Sequence, residues 1–119
     1  MEFVLIRHGD PDYSACVRGG INGQGFGLVP LSEKGLQQAR QVAAHPALAG
    51  AQLVLSSPYT RALQTAAEIV RATGLPLAVE PDLHELMADR SGAPHTREEM
   101  KQLHQEFLAC RGCWPEGGE

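Results

Sequence analysis

The sequence predicts an α/β fold around a mostly parallel sheet. Three short apolar runs, Phe3–Ile6, Leu53–Leu55 and Leu75–Val79, read as buried strands. Each is followed by a segment with helical periodicity, and strand–helix alternation of this kind favours a parallel sheet with helices packed on it. The chain has 119 residues, 43% hydrophobic and 20% charged. That is enough for one packed core and too apolar for a disordered segment.

After the first run, Ser32 is placed to cap a helix that puts Leu36, Ala39 and Ala43 on one face, with Pro46 as its stop. After the second, Ser57 as N-cap and Pro58 at the first helical position open a helix whose apolar face is Ala62, Ala66, Ile69 and Val70. Gly74 closes it. The third run contains Pro76. It leads to Thr96-Arg97-Glu98-Glu99, a capping box that starts a helix with Met100, Leu103, Phe107 and Leu108 inward. Between Asp10 and Pro30 no periodic pattern is sustained, so a single long loop is expected. Loops beyond about 12–15 residues in a compact domain are commonly functional.

Composition excludes several classes. Ten Lys and Arg against 14 Asp and Glu give a formal charge of −4, which argues against a broad nucleic-acid-binding face and leaves room only for a local anion site. No apolar run approaches the roughly 20 residues of a membrane span, and Phe3–Ile6 is too short for a signal-peptide core. Three cysteines make no disulfide framework and fit a reducing compartment, so a cytoplasmic protein without membrane or nucleic-acid partners is expected. Cys110-Arg111-Gly112-Cys113, with only Cys16 besides, reads as incidental thiols rather than a zinc site.

In open parallel sheets, ligands bind beyond the carboxyl ends of the strands. The first run delivers Arg7, His8 and Gly9 there. The second delivers Ser56, Ser57 and, one turn on, Arg61; the third is followed by Asp82, His84 and Glu85. Taken singly, such a histidine is more often a hydrogen-bonded turn residue, and such an arginine or glutamate is more often solvated. Their joint placement points to a site. Guanidinium forks match phosphoryl oxygens with paired hydrogen bonds, and a helix opening at Pro58 would add backbone donors. His8 would then offer a ring-nitrogen lone pair to phosphorus, and a carboxyl group such as Glu85 could protonate the leaving oxygen. As a first-turn residue at a rim, Arg61 is expected outside the core.

The same residues carry a resemblance. Leu5-Ile6-Arg7-His8-Gly9 resembles the signature of the histidine phosphatase superfamily, which includes the cofactor-dependent phosphoglycerate mutases. Pro30-Leu31-Ser32-Glu33-Lys34-Gly35-Leu36-Gln37-Gln38-Ala39, Ser56-Ser57-Pro58-Tyr59-Thr60-Arg61-Ala62-Leu63-Gln64-Thr65-Ala66 and Leu83-His84-Glu85 are similar to its further segments, in order. The resemblance implies a three-layer α/β/α, phosphoglycerate mutase-like fold and a phosphohistidine mechanism. His8 would be the nucleophile, Arg7 and Arg61 the phosphate clamps and Glu85 the proton donor, with no cofactor and no metal. A polar contact to the phosphate would come from Ser14 or from Asn22. A phosphomonoester hydrolase is the expected activity; a phosphoglycerate mutase-type phosphotransfer and a noncatalytic phosphate-binding domain are its alternatives. The partner would be a small phosphorylated substrate or inorganic phosphate.

The family pattern continues into a strand ending in a second His-Gly, whereas this sequence stops at Gly117-Gly118-Glu119. Residues 1–119 are therefore expected to form one domain that corresponds to the N-terminal portion of the fold, incomplete at the C-terminus. Exposed sheet edges would favour a homo-oligomer.

Overall fold

A computed structural model describes residues 1–14, 23–85 and 97–109. The chain divides into two compact units, one of Met1–Tyr13 and Gly27–His84, the other of Ser14–Phe26 and Glu85–Glu119.

The first unit is a mixed α/β arrangement. Helix α1 (Glu33–Ala43) begins where Ser32, in extended conformation, accepts a hydrogen bond from the Gly35 amide at 3.0 Å. Such a cap is worth about 1 kcal/mol. Its buried stripe is Gly35, Ala39 and Ala43, spaced by four residues, so one row of small side chains faces inward. The helix ends before Pro46, which instead opens a short 3-10 turn over Pro46–Leu48.

Strand β1 (Val54–Ser56) pairs in parallel with β2 (Leu77–Val79), in the register Val54 with Leu77, Leu55 with Ala78 and Ser56 with Val79. Parallel neighbours need a crossover, and helix α2 (Thr60–Thr73) supplies it. Gly74 ends α2 in the left-handed region at φ 71°, where its amide bonds the Val70 carbonyl at 2.8 Å. This is the closure expected of a glycine just past a helix end.

Helices α1 and α2 pack on each other, with Arg61, Thr65, Ala66, Glu68 and Ile69 buried on α2. Glu68 takes both carboxylate oxygens to Arg71 Nη1, at 2.8 and 2.9 Å, and lies 3.7 Å from Arg40 Nε on α1. A carboxylate buried between helices is thereby supplied with charge-assisted donors.

Several expectations are corrected. Phe3–Ile6 takes no strand among the described residues and is not buried: Phe3, Val4 and Leu5 are exposed, Leu5 at 95%. An apolar run shows that residues suit a strand, but a strand exists only through a hydrogen-bonded neighbour, and the ladder here joins β1 to β2 alone. The Leu53–Leu55 run is buried on one face only. Ser56 is buried and Val54 half-buried, while Leu53 and Leu55 are exposed. Helix α2 starts at Thr60 rather than Pro58, because the Ser57 hydroxyl accepts from the Tyr59 amide at 3.2 Å and keeps residues 57–59 in a turn.

The expected loop from Asp10 to Pro30 contains a 3-10 helix, Gly23–Leu28. Its ends are tied antiparallel through a Pro11–Leu31 bridge, with Asp12 N to Pro30 O and Ser32 N to Asp10 O both at 2.8 Å.

In the second unit, α3 (Arg97–Ala109) carries Glu98 and Glu99 in its first turn and a Gln102-to-Glu106 hydrogen bond one turn apart. Leu108, expected inward, is 64% exposed. Thr96 of the expected capping box and the Cys110–Cys113 pair lie outside the described residues. Among the described residues no helix is long and apolar enough to cross a membrane.

A close backbone approach fixes the first unit. A Cβ added at Gly9 would strike the Gly35 carbonyl oxygen, and one added at Gly35 would strike the Asp10 carbonyl oxygen. Both obstacles are backbone and cannot rotate away. Gly35→Ala is expected to cost about 2 kcal/mol or more, as overpacking does, read as a lower denaturation midpoint in urea. Gly74→Ala meets no atom but must hold positive φ, at about 1–2 kcal/mol. A Gly35→Ala protein as stable as the parent would refute the close approach.

Candidate active site

The segment after Ile6 is tied to both helices. The Asp10 amide donates to Gln38 Oε1 on α1 at 2.8 Å, and the Leu31 amide donates to Gln64 Oε1 on α2 at 2.6 Å. Two glutamine side chains thus serve backbone donors that no sheet partner satisfies. Ser32 Oγ donates to Asp10 Oδ2 at 2.8 Å, linking the α1 cap to the same segment.

Held in this way, His8 lies half-buried against α2. Arg61 Nε sits 3.2 Å from His8 Nε2, and His8 Nδ1 sits 2.7 Å from the Gly9 carbonyl oxygen. The guanidinium can only donate and the carbonyl can only accept. The two bonds together therefore assign the ring proton to Nδ1 and the lone pair to Nε2. Arg61 is the largest fully buried side chain described, at 2% exposure, and its guanidinium carbon lies 4.7 Å from the centroid of the Tyr59 ring. A cation over an aromatic face gains stabilisation that grows as water is excluded.

An open cleft of about 280 Å³ lies beside the ring, lined by Arg7, His8, Gly9, Gln38, Ala39, Val42 and Thr65. Arg7 is exposed at its edge.

The structure therefore brings His8 and Arg61 together and sets His8 and Arg7, though not Arg61, on the lining of the cleft. Ser14 and Glu85, both exposed, belong to the second unit; Asn22 lies outside the described residues. Asp82 and His84 follow β2 as expected and are exposed. The expectation that Arg61 stands at a rim outside the core is overturned. Residue type argues for exposure, but this guanidinium is enclosed where α2 meets the His8 segment. Among the described residues no group of three or more His, Cys, Asp or Glu side chains is arranged to hold a metal ion.

Thr65, Gln38, Gln64 and Tyr59 had no assigned role in the sequence reading. The available signal was helical spacing: Thr65 is one turn beyond Arg61 and shares its face.

Fold and site together define a mixed α/β protein centred on a histidine–arginine pair. The chain belongs to the histidine phosphatase superfamily (branch 1), whose family model matches residues 3–119. It is 38% identical over 86 residues to the probable phosphoglycerate mutase GpmB of Enterobacter sp. (strain 638), covering 72% of this chain and 38% of that protein.

Among solved structures it resembles a mycobacterial glucosyl-3-phosphoglycerate phosphatase in complex with VO3. There the TM-score is 0.68 and the identity 31%, over 95% of this chain and 54% of that one. It also resembles a phosphoserine phosphatase from Entamoeba histolytica in complex with 3-phosphoglyceric acid. For that pair the TM-score is 0.63 and the identity 28%, over 94% of this chain and 54% of the other. The chain thus spans about two-fifths of the curated relative and about half of each solved neighbour. These neighbours share its phosphoglycerate mutase-like α/β fold.

Burial of Arg61 couples the site to stability. Arg61→Ala is expected to lower stability by about 2–4 kcal/mol, since it leaves a cavity and removes the donor to His8. Arg61→Met, of similar volume, should recover much of the melting temperature but not vanadate affinity. An Arg61→Ala protein melting with the parent would contradict the enclosed guanidinium.

Proposed function

We propose that this chain binds the phosphoryl group of a small phosphomonoester beside His8 and hydrolyses it through a phosphohistidine. The observation that carries the reading is the pair of bonds on the imidazole, Nδ1 to the Gly9 carbonyl and Nε2 to Arg61. The Nδ1 bond fixes the tautomer that leaves Nε2 basic, and attack follows when the Arg61 donor on Nε2 is handed to the phosphoryl oxygens.

In the proposed course, Nε2 attacks phosphorus and the ester P–O bond breaks. The leaving oxygen takes a proton from Glu85. Water then attacks the phosphohistidine, the P–N bond breaks, and Glu85 takes up the water proton as inorganic phosphate leaves. Phosphoryl oxygens entering beside Nε2 would draw the guanidinium donors of Arg61 from the ring to themselves, with Arg7 as the second clamp. Once turned from the ring to the phosphoryl oxygens, the guanidinium charge stabilises the transferring group. Ser14 or Asn22 would add a polar contact.

The names of the two phosphatases described above, each matched over more than nine-tenths of this chain, support hydrolysis. The 38% identity to GpmB favours a second reading, phosphoglycerate mutase-type transfer, in which the phosphohistidine returns its phosphoryl group to an acceptor hydroxyl instead of water.

Turnover of an aryl phosphate by the chain and by His8→Ala tests the proposal. The expected result is a loss of about 100-fold or more on removing the nucleophile, together with an acid-labile phosphoprotein in the parent only. Equal, negligible rates in both would favour the noncatalytic phosphate-binding reading. With 3-phosphoglycerate as substrate, release of inorganic phosphate marks hydrolysis, and formation of the 2-phospho isomer marks the mutase.

A further inference from the structure

Four hydrogen bonds close a circuit through the site. Arg61 Nε donates to His8 Nε2 at 3.2 Å, and His8 Nδ1 donates to the Gly9 carbonyl at 2.7 Å. The Gly9 amide donates to Thr65 Oγ1 at 3.2 Å, and that hydroxyl donates to the Arg61 carbonyl at 2.8 Å. All four residues lie in the two quoted motif segments, and three of them, His8, Gly9 and Arg61, already have a place in the site. The fourth, Thr65, is 4% exposed and joins them.

A hydroxyl carries one donor and two acceptor positions, so Thr65 can take the Gly9 amide while giving its own proton to α2. The Gly9 amide lies in the peptide that follows His8. Holding its direction fixes the backbone torsion of His8 and, with it, where the ring stands relative to Arg61. A threonine inside a helix commonly turns its hydroxyl back to the carbonyl four residues earlier. What is unusual here is the second bond, to a segment 56 residues away in sequence. Gly9 is packed against Gly35 on its other side, so the peptide is gripped between both helices.

We propose that Thr65 is a positioning residue, whose hydroxyl sets the angle and separation of the His8 imidazole and the Arg61 guanidinium. This rests on the phosphohistidine reading for its effect on rate, but not for its effect on the ring. The geometry separates positioning from packing. Thr65→Val keeps shape and volume and loses both hydroxyl bonds; Thr65→Ser keeps the bonds and loses a methyl group. Packing alone ranks valine above serine, whereas positioning ranks serine above valine.

On an aryl phosphate, Thr65→Val should lose about tenfold or more in kcat with KM changed by less than about threefold, and Thr65→Ser should stay within about threefold of the parent, since misplacement of a reacting group acts on the chemical step. Independently of turnover, side-chain ¹⁵N spectra of the whole chain should show a pyrrole-type Nδ1 and a pyridine-type Nε2 for His8 in the parent and in Thr65→Ser, and a changed pattern in Thr65→Val. An inactive parent whose spectra follow that order would sink the catalytic reading and leave the positioning role standing. Parent-like spectra and kcat in Thr65→Val, with losses in Thr65→Ser, would overturn the role. Should Thr65→Val not fold, Thr65→Ala replaces it: a serine variant that keeps the ring signature which alanine loses supports the proposal, and one as altered as alanine refutes it.

Discussion

The first unit is organised around a guanidinium enclosed in protein next to an imidazole. Removing a positive charge from water is costly, and the cost is bearable only where donors meet acceptors and a polarisable face lies close. Arg61 has both, in the ring nitrogen of His8 and the face of Tyr59. Two basic groups in hydrogen-bonding contact also impose a proton arrangement, because only a ring with its proton on the far nitrogen can accept from the arginine. The Gly9 carbonyl receives that proton. The chemistry assigned to the histidine and the burial of the arginine are therefore one requirement met twice.

The surrounding architecture serves that contact. Small residues along α1 let the helix come close to the chain segment that bears the histidine, and Gly9 against Gly35 marks where backbone meets backbone. Glutamine carbonyl groups on both helices take amides of chain segments that lie outside any ladder. Glu68, bound by Arg71 and near Arg40, sets charge complementarity across the helix pair away from the cleft. Polar groups in this unit hold the loop–helix junctions, while among the described residues the sheet contributes three ladder positions. Sites assembled from such junctions commonly draw on the stability of their scaffold, since strain or charge retained for function must be offset by packing elsewhere.

Much of this was legible in the residues. Ser32 marked the start of α1, Gly74 marked the end of α2, and the parallel pairing of β1 with β2 followed from a helix lying between them. The sequence reading put His8 and Arg61 close by taking Phe3–Ile6 as a strand parallel to the others; the two side chains meet without that strand, through the enclosure of Arg61. Other features were not legible. An apolar run such as Phe3–Ile6 reports the affinity of its side chains for a core and says nothing of whether a neighbouring strand is present. Leu108 sits on a helical stripe, yet periodicity alone does not supply the surface that would cover it. The burial of Arg61 runs against what its charge suggests and is decided by tertiary enclosure. Thr65 is a mid-helix polar residue of a common kind, and its importance arises from a contact far away in sequence. Glu85 was singled out by its place after the third apolar run and Ser14 by resemblance, and the part of each is a proposal.

The atom that accepts the phosphoryl group is the most direct test. Incubating the chain with phosphoramidate, a small donor whose P–N bond breaks with release of ammonia, and mapping the product by ³¹P and ¹H–¹⁵N spectroscopy identifies the nitrogen that becomes phosphorylated. The account predicts attachment at Nε2 of His8, the position facing Arg61. Attachment at Nδ1, or phosphorylation confined to other histidines, would contradict it.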